Sequence, residues 1–348
     1  TSMKSIVPSL TSAALFLVLF CGCSNSPKET TPEAAPFAKG ADVGWLTEME
    51  SAGVKFYDNN GLQKECIQLL KEKGINSIRL RAWVNPVSGW NNTRDVVIKS
   101  QRAKAQGMKL MIDFHYSDDW ADPGKQKIPA AWSKMSYEEM KTALYTYTKK
   151  VMDTLKLNNI TPEWVQVGNE TNDGMLWEVG RASKSMANFA GLVQAGYTAV
   201  KEVSSSTQVI VHLSNGHDNG LFRWMFDGLK ANGANWDIIG MSLYPYWAPD
   251  GINGWAATNQ KCLTNMNDMV GRYGTPVMVV EVGMPNTEAE KSKLFLSDII
   301  AKTKSVTNNQ GLGVFYWEPQ CYKKWKGYEM GAFDETGKPT VAMDAFLE

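Results

Sequence analysis

The chain has 348 residues with 36 Lys and Arg, 36 Asp and Glu, and a formal net charge of zero. Basic residues are scattered among acidic ones rather than clustered, which argues against a groove for nucleic acid or another polyanion. The 13 Trp and 12 Tyr residues suit a protein that stacks aromatic rings on the flat faces of sugars, with core packing as their other use.

The first 23 residues have the order of a bacterial export signal. Thr1-Ser2 precede Met3 and are interpreted as an expression remnant, and Lys4 precedes the apolar run of residues 13–20. That run is too short to span a membrane, and the small residue Gly22 follows it closely. The pattern therefore predicts a cleaved leader.

Cys23 is the predicted lipidation site. The pair Gly22-Cys23 resembles the lipobox of bacterial lipoproteins, in which the cysteine is acylated and becomes the new amino terminus. Residues 24–38, rich in Ser, Pro, Thr and Glu, are predicted to be a flexible tether. We expect a lipoprotein on the cell surface or the periplasmic face that meets the membrane only through this lipid. An ordinary signal peptide is the alternative.

Residues 39–348 are predicted to form one domain in which strands alternate with helices. Strand-like segments lie at residues 39–46, 77–83, 109–115, 163–170, 208–213, 236–244, 276–283 and 313–317. Helical spacing occurs at residues 62–73, 93–107, 137–157, 185–203, 221–231, 253–273 and 287–304, with a short helix at the end. Eight such repeats predict an α/β fold of the (β/α)8 TIM barrel type. A doubly wound sheet is disfavoured because no Gly-x-Gly-x-x-Gly turn follows the first strand.

Two glutamates, Glu170 and Glu281, stand at the ends of two predicted strands. The carboxyl ends of barrel strands meet at one mouth, so both carboxyl groups would face one site. Cleavage of a glycosidic bond needs a protonated acid for the leaving oxygen and an ionised carboxylate for the charge that grows at the anomeric carbon. A lone glutamate at a strand end would more often be a surface carboxylate or a helix cap. The pair instead predicts a glycosidase.

Other polar and aromatic residues fall at the same predicted mouth. Strand ends also carry Arg81, His115, Asn169, Tyr244 and Trp317. Predicted loops or loop edges there carry Trp90, Trp120, Trp132, Trp247 and Trp255. We expect two or three of these tryptophans to stack on sugar rings.

A resemblance to a known protein family is carried by six segments, namely Ala41-Asp42-Val43, Phe56-Tyr57-Asp58, Arg79-Leu80-Arg81-Ala82-Trp83-Val84-Asn85-Pro86, the segment from Asp113 to Pro123, Val167-Gly168-Asn169-Glu170 and Tyr316-Trp317-Glu318-Pro319. They resemble glycoside hydrolase family 53, the endo-β-1,4-galactanases. The resemblance covers nearly the whole chain after the tether, and its histidine-containing segment is specific.

The resemblance implies a retaining mechanism and specific residue roles. Glu170 would be the acid/base and Glu281 the nucleophile, while Asn169 would hold the sugar 2-hydroxyl and Arg81 and Tyr244 would flank the nucleophile. Elementary electrostatics agrees, because a cation and a hydroxyl donor beside Glu281 would favour its anion. The alternatives are an Arg81 paired with a structural acid and a Tyr244 that is only buried.

Two further expectations concern His115 and Glu170. His115 would donate a hydrogen bond to a sugar hydroxyl or to Glu281, unless it is a structural histidine. Repulsion from Glu281 and burial against Trp317 would raise the pKa of Glu170, so that it starts the reaction as an acid. A retaining pair places its carboxyl groups about 5 to 5.5 Å apart. His212 and His217 have no partner motif and are expected in the core or in loops.

No cofactor is expected, and calcium is kept only as an alternative. After the leader, Cys66, Cys262 and Cys321 remain, an odd number without a C-x-x-C pair. They indicate no metal site and leave the question of a disulfide open. Some bacterial members of the family hold calcium on a loop near the last strands. This chain has no Asp-x-Asp-Gly run there.

Three functions remain open from the sequence. The first is endo-acting, retaining cleavage of β-1,4-galactan in type I arabinogalactan, with galacto-oligosaccharides as products and a monomer as the acting unit. The second is a retaining glycanase for another polymer such as mannan or glucan, since many substrates share the two-glutamate barrel. The third is a surface lipoprotein that binds glycans without turnover, which would need no carboxyl pair.

Overall fold

Eight parallel strands close into a barrel within residues 35–348, the part of the chain that the computed structural model describes. The strands are β1 Ala38–Asp42, β2 Ser77–Ala82, β3 Lys109–Phe114, β4 Trp164–Val167, β5 Gln208–Leu213, β6 Ile238–Leu243, β7 Val277–Val282 and β8 Gly311–Trp317. Each strand pairs with the next, and β1 closes the barrel on β8 from Ala38 opposite Gly313 to Asp42 opposite Trp317. The predicted TIM barrel is confirmed. The predicted acylation site Cys23 and most of the predicted tether lie outside the described residues.

Helices connect the strands as the alternation predicted. They are α1 Leu46–Ser51, α2 Cys66–Glu72, α3 Thr93–Ala105, α4 Tyr137–Leu157, α5 Met186–Val203, α6 Asn219–Ala231, α7 Trp255–Tyr273 and α8 Ala289–Lys304. A short 3-10 helix, Val341–Leu347, packs on α8 near the chain end. A small antiparallel hairpin joins Phe56–Tyr57 to Gln63–Lys64.

Helix α4 shows how local sequence sets these elements. Ser136 and Glu139 form a reciprocal capping box that satisfies two free backbone N–H groups at its start. Its buried side chains then recur at helical spacing along one face, as Met140, Leu144, Thr148, Val151, Met152 and Leu155. The stripe packs against its neighbours and leaves the polar face in water.

Several boundaries differ from the prediction by one to four residues, and two of them have a clear local cause. The first strand, predicted at residues 39–46, ends at Asp42, because the Asp42 carboxylate accepts a hydrogen bond from the Gly44 backbone N–H at 3.1 Å and the chain turns there. The helix predicted at residues 62–73 begins only at Cys66, where Glu65 accepts from the Gln68 N–H at 2.8 Å.

The barrel interior changes from apolar to polar along its axis. Met111, Trp164, Ile210 and Phe315 belong to one buried apolar cluster. The residues two positions later on the same strands are Asp113, Gln166, His212 and Trp317. Because strand side chains alternate, these pairs face the same side. An apolar layer therefore fills the lower part of the barrel, and a more polar layer lies above it, next to the carboxyl ends of the strands.

The three cysteines of the described chain, Cys66, Cys262 and Cys321, are buried and form no disulfide. Burial raises the pKa of the Cys262 thiol to about 12 and raises the other two well above their ordinary range. Within residues 35–348 no helix has the length and apolar character needed to cross a bilayer.

Candidate active site

A cavity of about 750 Å³ opens at the carboxyl ends of the barrel strands. Most of the residues predicted at the mouth line it, namely His115, Trp120, Asn169, Glu170, Tyr244, Trp247, Glu281 and Trp317. Arg81 is absent from the lining and is fully buried. The structure thus brings both glutamates into one site.

Glu281, near the end of β7, is held at both carboxylate oxygens. The Tyr244 hydroxyl donates to its Oε1 at 2.6 Å, and Nη2 of Arg79 donates to its Oε2 at 3.1 Å. Glu281 is only 4% exposed. Burial raises its pKa, while the charge of Arg79 and the hydrogen bond from Tyr244 lower it and so favour the anion.

Arg79, not Arg81, is the cation beside Glu281. The expectation that Arg81 flanks the nucleophile is wrong, because Nη1 of Arg81 contacts Glu318 Oε1 at 2.6 Å instead. Both arginines lie on β2 and face the barrel interior two residues apart. Arg79 lies closer to the amino-terminal end of the strand, at the depth in the barrel where its guanidinium contacts the Glu281 carboxylate.

All three nitrogens of the Arg79 guanidinium have acceptors. Nε donates to Gln166 at 2.8 Å, and Nη1 donates to Asp42 at 2.9 Å. Nη2 reaches Asp113 at 2.8 Å and Asn169 at 3.0 Å in addition to Glu281. A guanidinium fixed on five side chains has one orientation, so it presents a fixed positive charge to Glu281.

Glu170 is placed by an unusual turn after β4. Its backbone has φ +45°, and Gly168 has φ +91°. A Cβ on Gly168 would lie 2.6 Å from Cγ2 of Thr171, so only glycine fits. The N–H groups of Glu170 and Thr171 donate to His212, at 3.2 Å to Nδ1 and 2.9 Å to the carbonyl oxygen. His212, expected in the core or in a loop, lies in β5, is fully buried and fixes this turn.

The two carboxyl groups differ in charge preference. The pKa of Glu170 is raised well above its ordinary value, first by burial and then by the negative charge of Glu281, and Arg79 opposes this only in part. The pKa of Glu281 is raised less, because Arg79 and Tyr244 stabilise its anion directly. A protonated Glu170 beside an ionised Glu281 is the arrangement that this asymmetry favours.

His115 lines the cavity but does not contact Glu281. Its Nδ1 accepts from the Trp83 indole N–H at 3.2 Å and from the Ala121 backbone N–H at 3.0 Å. The proton therefore lies on Nε2, which donates to Asp113 Oδ2 at 3.2 Å. His115 thus links the cavity wall to the carboxylate that also contacts Arg79.

Asn169 is fixed through both ends of its amide. Its Oδ1 accepts from Arg79, and its Nδ2 donates to the Ala121 carbonyl at 2.8 Å. It is 4% exposed, and it lines the cavity beside Glu170. A group fixed in this way needs no reordering when a ligand enters.

Aromatic rings cover much of the cavity wall. Of the loop tryptophans predicted to stack on sugars, Trp90, Trp120 and Trp247 line it, as does the strand-end residue Trp317. Trp132 and Trp255 do not, and Trp132 packs on Tyr147 with 6.2 Å between ring centroids. Sequence reasoning missed three lining aromatics, Trp45, Trp83 and Tyr328. It placed Trp45 inside a strand, and nothing marked the loop after β8 as part of the mouth.

Among residues 35–348, no group of three or more His, Cys, Asp or Glu side chains is arranged to hold a metal ion. The buried carboxyl groups near the site, Asp42, Asp113 and Glu281, instead face the Arg79 guanidinium.

The sequence model of glycosyl hydrolase family 53 matches residues 38–346. A protein of Niallia circulans, described as an uncharacterized protein in the bgaB 5' region, is 36% identical, with 88% of this chain and 89% of that protein covered. A probable arabinogalactan endo-β-1,4-galactanase A of Aspergillus terreus is 35% identical over 83% of this chain and 87% of its own. A solved structure of fungal β-1,4-galactanases is 28% identical with a TM-score of 0.83, covering 90% of this chain and 100% of that one.

Proposed function

The chain belongs to glycosyl hydrolase family 53, and from that premise we propose that it is an endo-β-1,4-galactanase that cleaves galactan with retention of configuration. The observation that carries the chemistry is the unequal treatment of two carboxyl groups in one cavity. Tyr244 and Arg79 bind the Glu281 anion, whereas burial and the Glu281 charge keep the proton on Glu170.

In the first step Glu281 acts as the nucleophile. Its carboxylate oxygen forms a bond to the anomeric carbon while the bond to the leaving oxygen breaks, and Glu170 gives its proton to that oxygen. The product is a galactosyl ester of Glu281 and a chain end that leaves. Asn169 lines the cavity at a fixed position, and its second amide hydrogen is available to a sugar hydroxyl group, whereas both ring nitrogens of His115 already have protein partners.

In the second step Glu170 changes from a general acid to a general base. Esterification removes the negative charge of Glu281, which is the second-largest cause of the raised Glu170 pKa. Glu170, now ionised, takes a proton from water as the water oxygen attacks the anomeric carbon and the ester bond breaks. Two carboxyl groups and water supply every bond and proton, so the proposal needs no cofactor.

The endo mode rests on the extent of the cavity. Its lining comes from segments after β1, β2, β3, β4, β5, β6 and β8 as well as from β7, including Ser88, Asn215, Trp247 and Lys326. A site that crosses the whole mouth can hold sugars on both sides of the cleaved bond. Relatives described as arabinogalactan endo-β-1,4-galactanases support galactan as the polymer.

The test is digestion of linear β-1,4-galactan by the purified enzyme, with mannan and β-glucan in parallel. We expect a ladder of galacto-oligosaccharides from galactan and little reducing sugar from the others. Release of reducing ends from mannan or glucan alone would make this another glycanase of the same mechanism. Binding to galactan without cleavage would make it a glycan-binding protein.

Export and lipid anchoring complete the proposal. The support is the order of a charged, an apolar and a small segment ending at Cys23, followed by a polar stretch. An acylated enzyme outside the cytoplasm would meet a polymer too large to be imported. We propose that it acts as a monomer, because one chain supplies both carboxyl groups.

A further inference from the structure

Arg81 is a fully buried arginine directly beneath the cavity wall. Its guanidinium carbon lies 4.4 Å from the ring centroid of Trp120, 5.1 Å from Trp45, 5.4 Å from Trp83 and 5.8 Å from Trp317. All four rings line the cavity. We call these four residues the tryptophan wall.

We propose that Arg81 is a positioning residue whose guanidinium holds the tryptophan wall in the orientation that binds galactosyl rings. This inference rests on the proposed function, since it assigns the part of the same site that grips the polymer. Nothing in it places Arg81 in contact with Glu170 or Glu281.

Arg81 is a common neighbour of all four tryptophans of the wall. Its members come from four places in the chain, the segments after β1, β2 and β3 and the end of β8. They contact one another edge to face, with centroid separations of 5.0 Å for Trp83 and Trp120, 5.4 Å for Trp45 and Trp120, and 5.2 Å for Trp45 and Trp317. A tilt of one ring therefore displaces the next, and the cation at their centre is the element that all four share.

The hydrogen-bond pattern of Arg81 fits this role. Nη1 is anchored by Glu318 at 2.6 Å, with Asp42 at 3.7 Å. Nε and Nη2 are buried without any hydrogen-bond acceptor among the described residues. Guanidinium nitrogens buried in this way are compensated by the π faces that surround them. The contrast is Arg79, whose three nitrogens all have oxygen acceptors.

The anchor of Arg81 is itself tied to the wall. Glu318 follows Trp317 directly, and its carboxylate also accepts from the Trp45 backbone N–H at 3.2 Å. Gln320 donates to its other oxygen at 2.6 Å. The ion pair thus joins the segments that carry Trp45 and Trp317.

The chain leaves space for this cation. A Cβ on Gly44 would lie 2.2 Å from Nη1 of Arg81 and 3.1 Å from Oε1 of Glu318. Only glycine at position 44 lets the backbone before Trp45 pass over the guanidinium. The turn at Gly44 therefore packs directly on the Arg81 guanidinium.

The sugar side of the wall is open. Trp45 and Trp83 are only 6% and 8% exposed, whereas Trp120 and Trp317 are partly exposed to the cavity. Because Arg81 has no exposed surface, its guanidinium lies on the protein side of these rings. The cavity faces of Trp120 and Trp317 stay free for the C–H faces of a sugar, and Trp45 and Trp83 back them.

The test compares Arg81→Lys with Arg102→Lys, a control on α3 whose arginine pairs with Glu50 and Glu65 away from the cavity. Lysine keeps the charge but loses the planar group that stacks on aromatic rings. We expect Arg81→Lys to raise KM for galactan about 5- to 30-fold. We expect kcat to stay within about threefold and the pH profile to keep its shape. The control should match the wild type.

Binding is measured separately, by calorimetry with β-1,4-galactotetraose in a Glu170→Gln background. Arg81→Lys should weaken it by the same factor as KM and alter the near-ultraviolet circular dichroism of the tryptophans. If Arg81→Lys does not fold, Glu318→Gln replaces it, since it removes the ionic anchor and keeps the volume. Either variant should lower the affinity.

Wild-type affinity in a folded Arg81→Lys or Glu318→Gln variant would overturn the inference. So would a loss confined to kcat, which would place Arg81 in the chemistry. A wild-type enzyme that does not cleave galactan would instead refute the proposed function. The Arg81 test would then be made with an oligosaccharide of the polymer that is cleaved.

Discussion

The Tyr244 hydroxyl donates a hydrogen bond to Oε1 of Glu281 at 2.6 Å. This bond favours the carboxylate form of a glutamate whose pKa is otherwise raised by burial. In Tyr244→Phe we expect the pKa of Glu281 to increase, so that the acidic limb of the kcat/KM profile moves to higher pH. Loss of a hydrogen bond to a charged group should lower kcat/KM by about 10- to 100-fold.

The control is Tyr246→Phe, because Tyr246 lies two residues further along and is 53% exposed. It should keep the wild-type pH profile. An unshifted acidic limb in Tyr244→Phe would mean that Tyr244 does not set the charge of Glu281.

The roles of the two glutamates can be separated with substrates of different leaving groups. Glu170→Gln should lower turnover of galactan by about 10²- to 10⁴-fold, the range for loss of a general acid. With Glu170→Ala and an activated aryl leaving group, formation of the glycosyl-enzyme should survive. Added azide should then release a β-glycosyl azide, which mass spectrometry detects. The same behaviour in Glu281→Ala rather than Glu170→Ala would exchange the two assignments.

The raised pKa of Glu170 predicts a pH-dependent cost in stability. Below about pH 4 this carboxyl group is protonated in both folded and unfolded chains. As pH rises, the unfolded chain ionises first, so the stability that the group contributes is lost until the folded pKa is passed. Glu170→Gln cannot ionise. The Tm of Glu170→Gln minus that of the wild type should therefore be close to zero at pH 4 and should become more positive at pH 6 and pH 8.

Glu290→Gln, an exposed change in the first turn of α8, is the control for this series. Its Tm difference should not vary with pH in the same way. A Glu170→Gln difference that is flat or falls with pH would contradict a raised pKa.

Retention makes a stereochemical prediction. If Glu170 and Glu281 act as a retaining pair, their carboxyl groups lie about 5 to 5.5 Å apart, too close for an attacking water between Glu281 and the sugar. Proton NMR in the first seconds after mixing should show the β-anomer before mutarotation. An initial α-anomer would require an inverting pair, whose carboxyl groups lie about 6.5 to 9.5 Å apart.

The lipid proposal is tested by Cys23→Ala in a bacterial host. We expect the wild type in the membrane fraction and the variant in the soluble fraction, with unchanged activity on galactan, since residue 23 precedes the family match that begins at residue 38. Cys21→Ala is the matched control and should stay in the membrane. Unchanged fractionation of Cys23→Ala would exclude acylation at this residue.

The barrel could be predicted from the sequence because each strand carries its own signal. Apolar runs bounded by glycine or proline and separated by amphipathic helices mark the eight strands locally. The two glutamates follow from the same logic, because a strand that ends in a carboxylate places it at the mouth. Nothing beyond neighbouring residues is needed for either inference.

Depth within the barrel could not be predicted. Arg79 and Arg81 share one face of β2 and differ by two steps of about 3.3 Å each along the strand. Whether a side chain at one position or the other reaches Glu281 depends on the stagger between β2 and β7, which lie apart in the barrel and never pair directly. The same limit hid Glu318, whose partner Arg81 is 237 residues away in the chain.

The three buried thiols are protected from chemical reaction while the domain stays folded. Cys66, Cys262 and Cys321 are closed to solvent, and their raised pKa values leave almost no thiolate to react. An oxidising environment therefore cannot link any of these three cysteines in a disulfide while the barrel stays closed. The rate at which a thiol reagent labels these three positions therefore reports how often the structure around each of them opens.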